Sequence, residues 1–137
     1  MICADNEAFI AEWSNLRIDN AQDRQHVKTV VQLDVTNAGE WDGAEVVQLY
    51  LASRSNAVRR PKRELKAFQK VFLIAGQTQT VSMTLDRLAY SYFDDRDGCW
   101  VAEAGTVDIM LCRSSREEDI LLVGQVTMTN DIRWTGL

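Results

Sequence analysis

The densest chemistry in the chain lies in Arg59-Arg60-Pro61-Lys62-Arg63-Glu64-Leu65, a basic run around the only proline. Arginines on a backbone stiffened by proline can fork onto the carboxylates of a partner. Arg59, Arg60, Pro61, Lys62, Glu64 and Leu65 are therefore candidate docking residues, and a plain solvated loop is the competing reading. A nucleic-acid patch fits poorly. The cluster has no interleaved aromatics, and the chain around it is acidic, with a net charge of −5. Trp41, Tyr50 and Tyr90, with Tyr92 and Trp134, could form a platform on which a sugar ring stacks. Residues of these types more often fill a core or an interdomain contact.

Catalytic and metal chemistry find little support. His26 is the only histidine, so no multi-histidine metal site can form. It sits in a polar turn before a strand, not beside a serine in a pocket. Asp94, Asp95 and Asp97 precede Gly98, but this order lacks the alternating spacing of a helix-loop-helix calcium site. Aspartates that bond their own turn backbone explain the run as well. Glycoside hydrolysis needs two carboxyl groups facing each other across a cleft. The 20 acidic residues here fall mostly in turns and on outward strand positions. Neither standard glycine-rich phosphate loop is present. No catalytic residue, metal site or cofactor is expected.

Cys3, Cys99 and Cys112 form no CxxC pair. In a hairpin turning at Glu103-Ala104, Cys99 would face Asp108, leaving Cys112 roughly 13 Å away at ~3.3 Å per residue. A disulfide tolerates about 7 Å between Cα atoms, so free thiols are expected.

These side chains must be carried by strands. Val47, Leu49 and Leu51 alternate with Val46, Gln48 and Tyr50, the period of a strand with one face toward a core. The same alternation runs through Val31, Leu33 and Val35, and through Val81, Met83 and Leu85. Leu65, Phe68, Val71 and Leu73 break it, and β-bulges near Ala67 and Lys70 would be needed to bring them to one face. Polar Ser53 to Glu64, with Pro61, reads as a surface crossover, and strands joined that way are expected in different sheets. Phe9 to Ile18 is expected as an edge strand, Asp86 as the N-cap of one helical turn, and Cys99–Ala102 with Thr106–Cys112 as a hairpin.

The 137 residues, 46% apolar and 26% charged, suit one soluble domain with its own core. No apolar run approaches the ~18 residues of a transmembrane helix. Seven or eight short strands without a long helical period indicate an all-β fold. The architecture expected is an antiparallel β-sandwich of the immunoglobulin or fibronectin type III-like kind. Residues 1–8 read as a loose lead-in, 9–130 as the sandwich and 131–137 as a tail.

Several motifs carry a specific resemblance: Val31–Asn37, Gly43-Ala-Glu-Val-Val-Gln-Leu-Tyr50, Arg60-Pro-Lys-Arg-Glu-Leu-Lys-Ala-Phe68, Leu73 with Gly76, Trp100–Gly105 and Ser114-Ser115. Their order and spacing resemble the fibronectin type III-like domain that ends family-3 glycoside hydrolases, the β-glucosidases and β-xylosidases of fungi, bacteria and plants. The resemblance runs from about Phe9 to Met128. It implies a non-catalytic accessory domain that stabilises the catalytic domains by packing on them, whether these belong to the same or a separate chain. In that family the nucleophilic aspartate and the acid/base glutamate belong to a barrel and a following α/β domain, so no catalytic residue carries over. The Arg60-Pro61 loop and Glu64-Leu65-Lys66 match the family pattern and become the contact candidates, with an apolar patch expected beside the loop.

An independent carbohydrate-binding module and a protein-interaction sandwich are the alternatives, with carbohydrate as the second candidate partner. Neither nucleic acid nor a membrane is expected. Three departures from the pattern bear on the fold. Ala67 stands where the family has glycine, Cys112-Arg113 replaces a small pair before Ser-Ser, and the usual upstream Gly-Leu-Ser-Tyr connector is missing. An excised end of a larger enzyme and a free-standing derivative are both compatible with this. The parent family is often secreted, yet Met1–Trp13 has acids where a signal peptide needs a basic end and an apolar core. The chain also lacks an Asn-x-Ser/Thr sequon, so secretion gains no support.

Overall fold

The computed structural model describes residues 9–53 and 63–135. Wherever apolar and polar residues alternate, the backbone is extended, and the apolar row faces a single shared core. In β2 (Val27–Asn37) the side chains of Val31, Leu33 and Val35 are fully buried, as are Val47 and Leu49 of β3 (Gly43–Ser53). Val81, Met83 and Leu85 do the same for β5 (Thr78–Asp86), while Thr80, Ser82 and Thr84 point to solvent. The other long strands are β1 (Ala11–Gln22), β4 (Glu64–Leu73), β8 (Gly105–Cys112) and β9 (Ile120–Met128). Three short ones, β6 (Ser91–Asp94), β7 (Cys99–Ala102) and β10 (Ile132–Trp134), complete the set.

Two sheets face each other across the core. One has the order β1-β2-β5 and the other β4-β3-β8-β9, with every neighbouring pair antiparallel. The sides of the sandwich close where β1 runs beside β9 and β4 beside β5. Gly124 permits the first approach, because a Cβ there would overlap Ile18. The short strands form a third sheet of order β10-β7-β6. The all-β sandwich expected from the pattern is the fold observed.

Asp86 caps a single 3₁₀ turn, Arg87–Tyr90, accepting from the Leu88 amide at 3.0 Å. Other local expectations are corrected. β3 and β4 lie in one sheet, paired antiparallel from Gly43↔Leu73 to Leu51↔Glu64, and the segment between them, 54–62, lies outside the described residues. Doubling a loop's length costs only about 0.6 kcal/mol, so length alone was a weak reason to separate the strands. β4 has one irregularity, at Lys66, and its register is unbroken at Lys70. With one bulge instead of two, Val71 and Leu73 point inward while Leu65, Phe68 and Phe72 are exposed. Cys99–Ala102 and Thr106–Cys112 do not pair. β7 bonds β6 and β10, and β8 bonds β3 and β9. Cys99 and Cys112 are nonetheless free thiols. The stretch read as a tail contributes β10, which buries Ile132. With it and β6, the described residues hold ten strands rather than seven or eight.

A bulge that alternation does not announce lies in β1 between Ser14 and Arg17. Asn15 takes the left-handed conformation there, with φ 59°, and its side chain donates to Asp34 Oδ2 at 2.9 Å. Asparagine tolerates this region because its short polar side chain bonds locally. Ala67, by contrast, is not in that region: Asn15 is the only non-glycine with positive φ among the described residues. A Cβ at position 67 is therefore accommodated without strain.

Candidate functional site

Of the docking candidates, Arg59, Arg60, Pro61 and Lys62 lie outside the described residues. Glu64 and Leu65 open β4, opposite Leu51 and Tyr50. Glu64 pairs with Lys66 at 3.6 Å. Leu65, 49% exposed, begins a row across the outer face of the four-stranded sheet: Leu65, Tyr50, Met110, Val123. Phe68 and Phe72 extend that face along β4, at 67% and 54% exposure. An apolar patch therefore stands immediately after the basic loop.

Arg63 is anchored, not free. Its guanidinium lies 5.9 Å from the centre of the Tyr50 ring, donates to the Ser115 carbonyl, and approaches Glu117 at 4.0 Å. Tyr50 in turn donates its hydroxyl to Gln48 Oε1 at 2.8 Å. Cys112 nearby is buried, and its thiol pKa is pushed up by that burial, with Arg63 opposing the shift and Asp119 adding to it. The turn after β8 is held by Asp119, which accepts from the Ser114 hydroxyl at 2.6 Å and from Arg116 at 3.1 Å. Those two donors, Ser114 first, hold the Asp119 carboxyl below the usual carboxylate range. Ser114-Ser115 thus connects the turn to the basic segment.

Arg113, the bulky departure, has a partner that its place in the sequence did not suggest. Its Nε donates to Glu45 Oε2 at 2.8 Å and its Nη2 to the Ala11 carbonyl at 2.9 Å. Glu45 also accepts from Trp13 Nε1 at 3.2 Å. The Glu45 of the GAEVVQLY motif is therefore a buried tie between β1, β3 and the end of β8. No local pattern marks it, because the three residues are far apart in sequence.

The proposed sugar platform does not assemble. Trp41 is 67% exposed, but Tyr50 and Tyr90 retain only 8% and 4% of their surface. Tyr50 lies under Arg63. Tyr90 turns inward, its hydroxyl 2.6 Å from that of buried Thr29, which donates to Asn20 Oδ1 at 2.7 Å. Burial pushes the Tyr90 phenol up, with the Thr29 bond pulling the other way. A different aromatic row was missed. Phe93, Trp100 and Trp134 sit in register across β6, β7 and β10. Trp100 and Trp134 stack at 6.3 Å, Phe93 meets Trp100 edge-on at 5.3 Å, and Arg87 covers Trp134 at 4.3 Å. Those rings meet one another and a guanidinium, and Phe93 at the end of the row is 49% exposed.

The aspartate-rich turn bonds its own backbone, Asp94 accepting from the Arg96 amide at 3.1 Å, while Asp97 faces Arg133 at 3.4 Å. His26 sits 3.5 Å from Asp23 in an exposed turn. Among the described residues no three or more His, Cys, Asp or Glu side chains converge as metal ligands.

A two-sheet antiparallel sandwich with a sealed core and one apolar outer face defines a scaffold of the immunoglobulin and fibronectin kind. A family model for the fibronectin type III-like domain matches residues 45–115, just over half of the chain and the span from β3 to β8. The chain belongs to that family. Thermostable β-glucosidase B of Acetivibrio thermocellus is 37% identical over 122 residues, which is 89% of this chain and 16% of that protein. The crystal structure of β-glucosidase from Kluyveromyces marxianus in complex with glucose superposes with a TM-score of 0.82 at 34% identity, covering 94% of this chain and 15% of that one. The GH3 β-glucosidase of Bifidobacterium adolescentis gives 0.81 at 35%, covering 88% and 17%. The chain thus spans about a sixth of these relatives' length.

Proposed function

We propose that this chain is the accessory, non-catalytic sandwich of a family-3 β-glucosidase, serving to stabilise the catalytic part on which it packs. One observation carries the reading: nearly the whole chain corresponds to about a sixth of a β-glucosidase, and that sixth is a complete fold with its own core. A domain with a closed core needs no neighbour to fold, so its value to a larger chain lies in its surface. Interfaces between domains of one chain typically cover about 600–1,500 Å². The chemistry within the described residues agrees, because Glu45, Asp119 and Asp94 are tied to an arginine, a hydroxyl and a turn amide.

The test has two arms. Purified chain incubated with an aryl β-glucoside is expected to release no phenol above the buffer rate, and measurable turnover would overturn the non-catalytic reading. The Kluyveromyces marxianus enzyme lacking its matched segment is expected to lose thermal stability, and replacing that segment with this chain is expected to restore part of it. A replacement no more stable than the truncation would count against the accessory role.

A further inference from the structure

The outer faces of the two large sheets differ in kind. On the β1-β2-β5 sheet, the outward positions of β5 are Thr78, Thr80, Ser82 and Thr84, beside Gln32 and Asp34 of β2. Asp34 there is engaged by Asn15, Arg17 and Thr80, a solvated polar network. On the β4-β3-β8-β9 sheet the corresponding positions include Leu65, Phe68 and Phe72, then Tyr50, Met110 and Val123, bordered by the polar Gln48, Asp108 and Gln125. Phe68 and Val123 keep 67% and 56% of their surface in water. Large exposed apolar patches on soluble domains mark contact surfaces.

We infer that the outer face of the β4-β3-β8-β9 sheet is where this domain seats against the catalytic part of a family-3 β-glucosidase. The inference rests on the accessory reading and adds to it the face and the chemistry of the partner. Two features select that occupant. The fold recurs as about a sixth of single β-glucosidase chains, so most of each relative lies outside the sandwich and within reach of its faces. Lys70 stands between Phe68 and Phe72 on the same face, so the matching surface is apolar and carries a carboxylate. A carbohydrate chain would need open ring faces set flat beside one another. Here Tyr50 is sealed under Arg63, and the phenylalanines are spaced along an edge strand with Lys70 between them. Tyr50, clamped between Arg63 and Gln48, forms a rigid floor beneath the patch.

The test uses the Kluyveromyces marxianus enzyme with its matched segment replaced by this chain. One double variant, Phe68→Lys with Val123→Lys, places charges on the apolar face. A second, Ser82→Lys with Thr84→Lys, places them on the polar face without touching the Thr80 bond to Asp34. All four positions are exposed, so both variants of the isolated chain should melt as the parent does, which separates docking from folding. In the replaced enzyme the apolar-face variant is expected to inactivate about tenfold faster at fixed temperature, the size of losing one strong interface contact. The polar-face variant should match the parent. Met110 supplies a readout without substitution: peroxide should oxidise it in the isolated chain and more slowly in the replaced enzyme, while buried Met83 and Met128 stay protected in both. Equal sensitivity of the two faces, sensitivity of the polar face alone, or unchanged Met110 oxidation would overturn the face assignment and leave the accessory reading standing. Concentration-dependent dimers of the free chain that the apolar-face variant abolishes, with no effect in the replaced enzyme, would assign the face to a second copy and overturn the inference. If the replaced enzyme is no more stable than the truncated one, the accessory reading fails and the face assignment falls with it.

Discussion

Replacing Arg113 by methionine isolates the tie that holds β1 to the four-stranded sheet. The substitution keeps the unbranched apolar stem of the side chain and removes its guanidinium, with its charge and donors. Glu45 is left with Trp13 Nε1 at 3.2 Å and its neighbouring Val46 amide at 3.3 Å. Breaking a fully buried ion pair from one side costs about 3–5 kcal/mol, and an exposed pair is worth about 0–1 kcal/mol. The pair here lies between these limits, because the Glu45 side chain is 10% exposed and that of Arg113 is 41% exposed. Interpolating gives a loss of about 2 kcal/mol. For a domain of this size, that lowers the melting temperature by about 6–10 °C. Glu45→Gln should cost less, because the amide oxygen still accepts from Trp13. A double-mutant cycle on Arg113→Met and Glu45→Gln, read by urea unfolding, should return a coupling of about 1–2 kcal/mol. Additive losses would show that the ion pair contributes nothing beyond the packing of its stems. A methionine variant within about 0.5 kcal/mol of the parent, the range of ordinary surface changes, would refute the assignment of Arg113 as a structural tie.

Three further outcomes follow from the same geometry. Leu33→Ala empties a site with no exposed surface and should cost about 2–5 kcal/mol, whereas Phe68→Ala in the isolated chain should stay within about 0.5 kcal/mol of the parent; urea midpoints distinguish them. Tyr90→Phe removes the bond to Thr29 and should cost about 1 kcal/mol at neutral pH. Because the folded phenol is raised above its value of 10.0 in the open chain, the parent should also lose stability as pH climbs from there through the folded value, a decline that the phenylalanine variant lacks. On the acid side, the lowered Asp119 stabilises the fold above its reference value of 3.8, and that contribution disappears as pH falls through the lower folded value. Ser114→Ala should shrink this acid-side drop in melting curves, and an unchanged drop would remove Ser114 as its main cause.

The legible parts of the fold share a cause. In β2, β3 and β5 one face meets the core and the other meets water or polar neighbours, so alternation reports orientation directly. Where the reading failed, one of its assumptions failed. β7 and β8 are separated by Glu103-Ala104, which looks like a hairpin turn, yet Ala104 is held by Asp131 and the chain passes between sheets there. β10 is three residues long, too short to show a period. Glu45, Trp13 and Arg113 meet only once three distant segments are folded. A stacking platform needs the open ring faces of Tyr50 and Tyr90, but both rings are buried and their hydroxyls bond to Gln48 and Thr29.

β4 is the instructive failure. Bringing Leu65, Phe68, Val71 and Leu73 all to the core takes two bulges, on the premise that every large apolar side chain points inward. The strand instead keeps one bulge and presents Leu65, Phe68 and Phe72 to water. An apolar residue at the wrong parity is a liability for a solitary domain, since an exposed hydrophobic edge invites aggregation. It ceases to be one when another surface covers it. The parity error therefore lies on the strand that follows the basic loop, where an interdomain contact was expected on other grounds. A rule that assumes a solitary domain fails first at the face such a domain would not leave bare: the two residues it turned inward, Leu65 and Phe68, are exposed on the inferred docking surface, where Phe68 and Phe72 bracket Lys70.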